Sequence, residues 1–236
     1  MPFYIGLSLL SNNELKGRVK QSLLSAEARR ILSFLEGKPI NDNEIAKDER
    51  GRPFFPGNNG DFSISHSGAM AAVSMVKGGT LHTGCDIQIV RPGLSIREIA
   101  GEFFTDPEKQ YIFSSGGRQL EENRFFEIWA LKECYLKLRG LSVFGMARTP
   151  SFIRAGLSDN GSLSFAYDEA VSSPLSFCLY KLAGDTGPRY FLAAALEGGE
   201  FIQPEIRWLS QSFLPCRSIA VIKATLRPDR TVSPNM

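Results

Sequence analysis

The chain has 236 residues, 27 Lys and Arg against 25 Asp and Glu, and a formal net charge of +2 at pH 7. A balance so near zero excludes a nucleic-acid binder held by bulk charge, so any anion site must be local. No apolar run reaches the roughly 20 residues that cross a bilayer, and "MPFYIGLSLLSNNELK" lacks the basic start and small-residue cleavage site of a signal peptide, which predicts a cytoplasmic protein without membrane contact.

In chain order, "FYIGLSLL" reads as a first strand. "LKGRVKQSLLSAEARRILSFLEG" reads as a helix, with Val19, Leu23, Leu24, Ile31, Leu32 and Leu35 near helical spacing and Gly37 and Pro39 as its stop. The polar stretch "NDNEIAKDERGRPFFPGNNGD" is rich in turn residues and predicts loop. Strands follow at "FSISH", "AAVSMVKG" and "HTGCDIQIV". In the last of these Asp86 and Gln88 alternate with Cys85, Ile87 and Ile89 and so share one face. Helices are predicted at "IREIAGEFF", "DPEKQYIFSS", with Asp106 as N-cap and Pro107 as first helical residue, and "ENRFFEIWALKECYLKLRG". Strands are predicted at "LSFAYDEA", "LSFCLYKL" and "YFLAAALEG". Helix then strands, twice over, predicts an α+β fold of two similar halves. The expected division is residues 1–82, residues 83–226, and a frayed tail over residues 227–236. The four cysteines, Cys85, Cys134, Cys178 and Cys216, form no C-x-x-C pair and are expected to be reduced thiols.

The long third helix mixes charges into an apolar pattern. At about 100° per residue, Phe125, Ile128, Leu131, Tyr135 and Leu138 share one arc. Glu133 and Lys137 fall together on another side with Trp129 beside them, and Lys132 lies at the margin of the arc. Such a set is either a solvated Glu-to-Lys pair or a site where a carboxylate and two ammonium groups meet an anion and a hard cation, since Mg²⁺ takes a few carboxylate oxygens together with phosphate oxygens. Asp86 offers a second carboxylate, with Gln88 on the same face. "FSISHSG" offers the hydroxyl of Ser65 and the imidazole of His66, and "GRPFF" offers Arg52, a bidentate partner for phosphate. Ser65-His66-Ser67 lacks the G-x-S-x-G frame of a hydrolase, and no phosphate-binding P-loop is present.

In order, "GRPFF", "FSISHSG", "GCDIQ", "FFTDPE" and "WALKECYLK" resemble the motifs of the Sfp-type 4′-phosphopantetheinyl transferases, over Gly51 to Gly140. The resemblance implies two similar α+β halves with the active site in the cleft between them. It also implies transfer of the phosphopantetheine arm of coenzyme A, with Mg²⁺, to a serine of an apo acyl carrier protein or of a peptidyl or aryl carrier domain, releasing adenosine 3′,5′-bisphosphate. In that reading Asp86 and Glu133 hold the metal, with Gln88 in the third position of the acidic motif. Lys132 and Lys137 meet phosphates, Ser65 and His66 bind the 3′-phosphate end, Arg52 sits near the adenine nucleotide, and Glu108 is the base, with Glu133 and Lys137 completing the catalytic set.

Two departures stand out. Gln88 replaces a glutamate common in the family and brings no charge, which favours a second reading: a relative that binds coenzyme A or carrier protein with little turnover. The basic run that relatives place before the first long helix is not evident, leaving Lys20, Arg29 and Arg30 as substitutes. The loop "YIFSSGGRQLEENRF" is either a plain surface turn or, through Arg118, a dock for the acidic carrier protein, and two fused halves predict a monomer.

Overall fold

Strand β1 (Phe3–Leu9) alternates strictly, Phe3, Ile5 and Leu7 facing one core and Tyr4 and Gly6 facing another. In this computed structural model the residues described are 1–10, 17–57, 60–114, 116–157, 163–166, 174–183, 187–200, 202–209 and 221–225. After β1 come α1 (Gly17–Glu36), a short ladder of β2 (Ala46–Lys47) and β3 (Pro53–Phe54), and the strands β4 (Gly60–Ser67), β5 (Met70–Lys77) and β6 (His82–Ile89). Three helices follow, α2 (Ile96–Phe103), α3 (Asp106–Phe113) and α4 (Arg118–Leu138). The chain continues as β7 (Ile153–Leu157), β8 (Leu163–Ala166), β9 (Leu175–Leu182), β10 (Tyr190–Glu197), β11 (Glu205–Trp208) and β12 (Val221–Thr225).

Two four-stranded sheets result, ordered β11-β1-β5-β4 and β12-β9-β10-β6. One long helix covers each: Leu24, Ala28, Ile31, Leu32 and Leu35 of α1 pack on the first sheet, while α2, α3 and α4 pack on the second. A third core lies where the sheets face each other, and it draws Ile5, Leu7 and Met70 from the first and Ile87, Tyr180 and Leu192 from the second. The expected pair of α+β halves is therefore present. Each helix reaches its sheet over a glycine. A Cβ on Gly6 would stand 2.2 Å from Ile31 Cγ2, and one on Gly84 only 2.6 Å from the Cys134 carbonyl oxygen.

The halves are spliced along the edge strands β4 and β6. Donors on β6 meet acceptors on β4 that lie 22 residues earlier: the Thr83 N–H donates to Asp61 Oδ2 (2.9 Å), the Ile87 N–H to Ser65 Oγ (3.1 Å) and the Ile89 N–H to Ser67 Oγ (3.0 Å). Between them the Cys85 thiol donates to the Ser63 carbonyl. Side chains thus satisfy amides that a backbone ladder would otherwise have to meet.

Several expectations are corrected. The N-cap of α3 is Thr105, in a capping box with Glu108, because the Glu108 carboxylate accepts the Thr105 N–H (2.8 Å). Val19 and Leu23 are exposed, since α1 meets its sheet only from Leu24 onward. The polar stretch after α1 contains the β2–β3 ladder, and β7, β11 and β12 were not anticipated. Strand β11 pairs in parallel with β1, so a late segment completes the first sheet. Cys85, Cys134 and Cys178 are buried and form no disulfide, while Cys216 and the predicted tail over residues 227–236 lie outside the described residues. No helix among the described residues is long and apolar enough to cross a membrane.

Candidate active site

Cys85 and Ile87 are committed to the core between the sheets, which turns Asp86 and Gln88 to the opposite face of β6. There α4 crosses directly over Gly84 and brings Glu133 and Lys137 above Asp86. Lys137 Nζ lies 2.7 Å from Asp86 Oδ1 and donates to Ser65 Oγ at 2.7 Å. Ser65 in turn donates to Asp86 Oδ1 (2.8 Å), and Gln88 Nε2 donates to Asp86 Oδ2 (2.7 Å). These residues line a cleft of about 720 Å³ with His66, Arg29 and Lys47 of the first half and Glu133 of the second.

The electrostatics follow from crowding like charges in a place poor in water. Burial, and then the charge of Asp86, push the Glu133 carboxyl up to about 7. Burial works against the Lys137 ammonium, but the charge and hydrogen bond of Asp86, together with Cys85 and Glu133, outweigh it and hold that group above its usual value. Partial withdrawal from water and the nearby Lys137 charge lower the His66 imidazole, so it is neutral at pH 7. A cleft with two apposed carboxylates, one of them hard to ionise without added positive charge, suits a hard cation that takes its other oxygens from a bound ligand. The described residues contain no group of three or more His, Cys, Asp or Glu side chains placed to hold a metal by themselves. Gln88 adds no third carboxylate, and its amide is spent on Asp86.

Of the residues singled out in the sequence, Ser65, His66, Asp86, Gln88, Glu133 and Lys137 meet in this cleft. Glu108 and Lys132 do not. Both are fully buried and paired with each other at 3.1 Å. Lys132 also donates to Thr149 Oγ1 (2.7 Å), and Glu108 accepts the Phe152 N–H (2.8 Å). The helical period left Lys132 at the edge of the apolar arc, but α3 and the segment before β7 close over that edge. Trp129, one turn before Glu133 on α4, packs with Phe103, Phe104 and Phe125. The Ser65 hydroxyl donates to Asp86 and accepts from Lys137 and the Ile87 amide.

Arg52 lines an adjoining cleft of about 650 Å³ that shares Lys137, but its guanidinium is engaged by Asp61 and by two carbonyls. Arg29 reaches the cleft, whereas Lys20 does not line it and Arg30 pairs with Glu27 (2.7 Å). Arg118 donates to Glu122 (2.9 Å) and to the Leu94 carbonyl (2.8 Å), anchoring the start of α4. Lys47 lines the cleft too, and a lysine in a polar stretch carries no periodic signal to single it out.

The arrangement can be set beside known proteins. The profile of the 4′-phosphopantetheinyl transferase superfamily matches residues 82–195, the span from β6 into β10 that holds Asp86, Gln88, Glu133 and Lys137. A 4′-phosphopantetheinyl transferase AcpT of Salmonella typhi is 31% identical over 138 residues, covering 58% of this chain and 70% of that protein. The chain belongs to this superfamily. An AcpT of Escherichia coli K12 is likewise 31% identical over 138 residues, covering 58% of this chain and 69% of its own. A putative 4′-phosphopantetheinyl transferase of Synechocystis, slr0495, is 29% identical over 110 residues, 47% of this chain and 39% of that protein. Arg52, Ser65 and His66 precede the matched span of the family profile, so their roles rest on geometry.

Proposed function

We propose that the protein transfers the 4′-phosphopantetheine arm of coenzyme A to a serine of an apo acyl carrier protein, or of a peptidyl or aryl carrier domain, as a holo-[acyl-carrier-protein] synthase does. The observation that carries this reading is the convergence of Asp86, Glu133 and Lys137 with His66 in one cleft between the halves of a family member. The serine oxygen forms a bond to the β-phosphorus while the bond from that phosphorus to the bridging oxygen breaks, and adenosine 3′,5′-bisphosphate leaves with the electron pair. The hydroxyl proton passes to a carboxylate of the cleft or to water.

The Lys137 ammonium offsets the negative charge that grows on the leaving phosphate. Neutral His66 offers a hydrogen bond to a phosphate oxygen, and Arg29 and Lys47 supply positive charge at the rim. Asp86 and Glu133 would hold Mg²⁺, which when bound supplies Lewis-acid neutralisation of the diphosphate. Because Glu108 is sealed beside Lys132, it does not serve as the base. A cytoplasmic, monomeric enzyme belongs to this reading, since one chain furnishes both walls of the cleft.

One observation favours a second reading. With Gln88 donating to Asp86 in place of a third carboxylate, the protein would bind coenzyme A or a carrier protein with little turnover. Incubation with coenzyme A, Mg²⁺ and an apo carrier protein, followed by mass spectrometry of the carrier, separates the two. A gain of one phosphopantetheine unit supports transfer; an unmodified carrier with coenzyme A bound supports the second reading.

A further inference from the structure

The sequence alone suggests Arg52 as a phosphate ligand, yet three hydrogen bonds turn its guanidinium inward. It donates to Asp61 Oδ2 at 2.6 Å, to the Thr83 carbonyl at 3.1 Å and, through Nε, to the Lys137 carbonyl at 3.3 Å. Those acceptors belong to β4, β6 and the last turn of α4, so one side chain ties the first half to both elements that carry the acidic cleft. Its own turn is rigid. Asp48 Oδ1 accepts the Arg50 N–H (2.9 Å) and the Arg52 N–H (2.8 Å), and the Asp48 N–H donates back to the Arg52 carbonyl (3.0 Å). Arg50 from the same turn donates to the Arg139 carbonyl (3.3 Å). Two arginines therefore meet the end of α4, where carbonyls lack helical partners and the helix dipole favours positive charge.

We propose that Arg52 is a positioning residue for the transfer reaction: held by Asp61, it fixes the Lys137 backbone so that the Lys137 ammonium stays against Asp86 and Ser65. The inference rests on the transferase reading given above. Lys137 is the residue whose Nζ lies 2.7 Å from Asp86 Oδ1, and its carbonyl is the atom Arg52 grips. A loosened last turn lets the ammonium drift from the leaving phosphate, whereas the contacts that hold the nucleotide elsewhere are unaltered.

The test compares wild type with Arg52→Ala, Arg52→Lys and Asp61→Asn, using coenzyme A and 3′-dephospho-coenzyme A as alternative donors. Misplacing a catalytic group by about 1 Å can cost about a hundredfold, so Arg52→Ala is expected to lower kcat by about that factor with KM within about threefold. Asp61→Asn, which removes the charge that holds the guanidinium, should show the same pattern, and Arg52→Lys should recover only part of the rate. The preference for coenzyme A over its 3′-dephospho form should be that of wild type in every variant. Hydrogen exchange of the amides from Tyr135 to Gly140 should quicken in Arg52→Ala, a readout that needs no turnover. Loss of donor discrimination, a raised KM at unchanged kcat, or wild-type exchange in that turn would overturn the proposal. A wild-type protein without transfer activity would count against the transferase reading, while the exchange measurement would still decide whether Arg52 holds the turn.

Discussion

At the scale of single residues the site is defined by charges held closer than water would let them stand. Glu133 shows this best, because its carboxyl is pushed up to about 7 from 4.5. Between about pH 4.5 and 7 the folded state therefore binds more protons than the unfolded state, and this group makes stability fall as pH rises through that window. Glu133→Gln should accordingly be more stable than wild type at pH 8, by an amount on the order of 2–3 kcal/mol in the absence of metal and ligand. The gap should close below about pH 4.5, and denaturant melts of the two proteins at both pH values check it. If the proposed cation site is right, the same substitution should abolish transfer, since it removes the charge that would hold the cation without disturbing Asp86. A side chain that weakens the fold and is nonetheless needed for turnover is what a site built to hold a cation predicts.

At the scale of elements, α4 does two jobs because β6 lets it come close. Gly84 leaves room for the Cys134 carbonyl and for Leu138, and Gly84→Ala would force helix and strand apart. Overpacking of this kind costs about 1–3 kcal/mol, and because Glu133 and Lys137 ride on the displaced helix, transfer should fall together with the melting temperature. The other side of α4 is fastened by Lys132 to Glu108 on α3. Glu108→Gln breaks this buried ion pair by removing one of its two charges, a loss of about 3–5 kcal/mol. Measured where the variant is still folded, kcat should drop by less than about tenfold. Loss of a general base would cost about 10²–10⁴, so a fall of that size would return Glu108 to the chemistry.

At the scale of the whole molecule the halves are not independent. Ile5, Leu7 and Met70 share a core with Ile87, Tyr180 and Leu192, and the edge strands are stitched by Asp61, Ser65 and Ser67. Strand β11, from the late part of the chain, closes the first sheet beside β1. Neither half buries its inner sheet face without the other. Calorimetry should therefore show one thermal transition with equal calorimetric and van't Hoff enthalpies, and two resolved transitions would contradict a shared core. The cleft lies against this seam, so its walls keep their spacing only while both halves are folded.

Local order of the chain is enough for the longer elements and for much of the cleft, though not for the β2–β3 ladder, β7, β11 or β12. The period-two alternation of β6 put Asp86 and Gln88 on one face, and helical spacing set Glu133 and Lys137 one turn apart, because both patterns depend only on backbone geometry. What lies against a given face depends on segments far away in sequence. Nothing near Lys132 announces that α3 and residues 149–152 will close over it, and nothing near Arg52 announces that the end of α4 will present a carbonyl to it. Spacing along one element fixes a direction; only packing between elements decides whether that direction ends in a cleft, a buried ion pair or a seam.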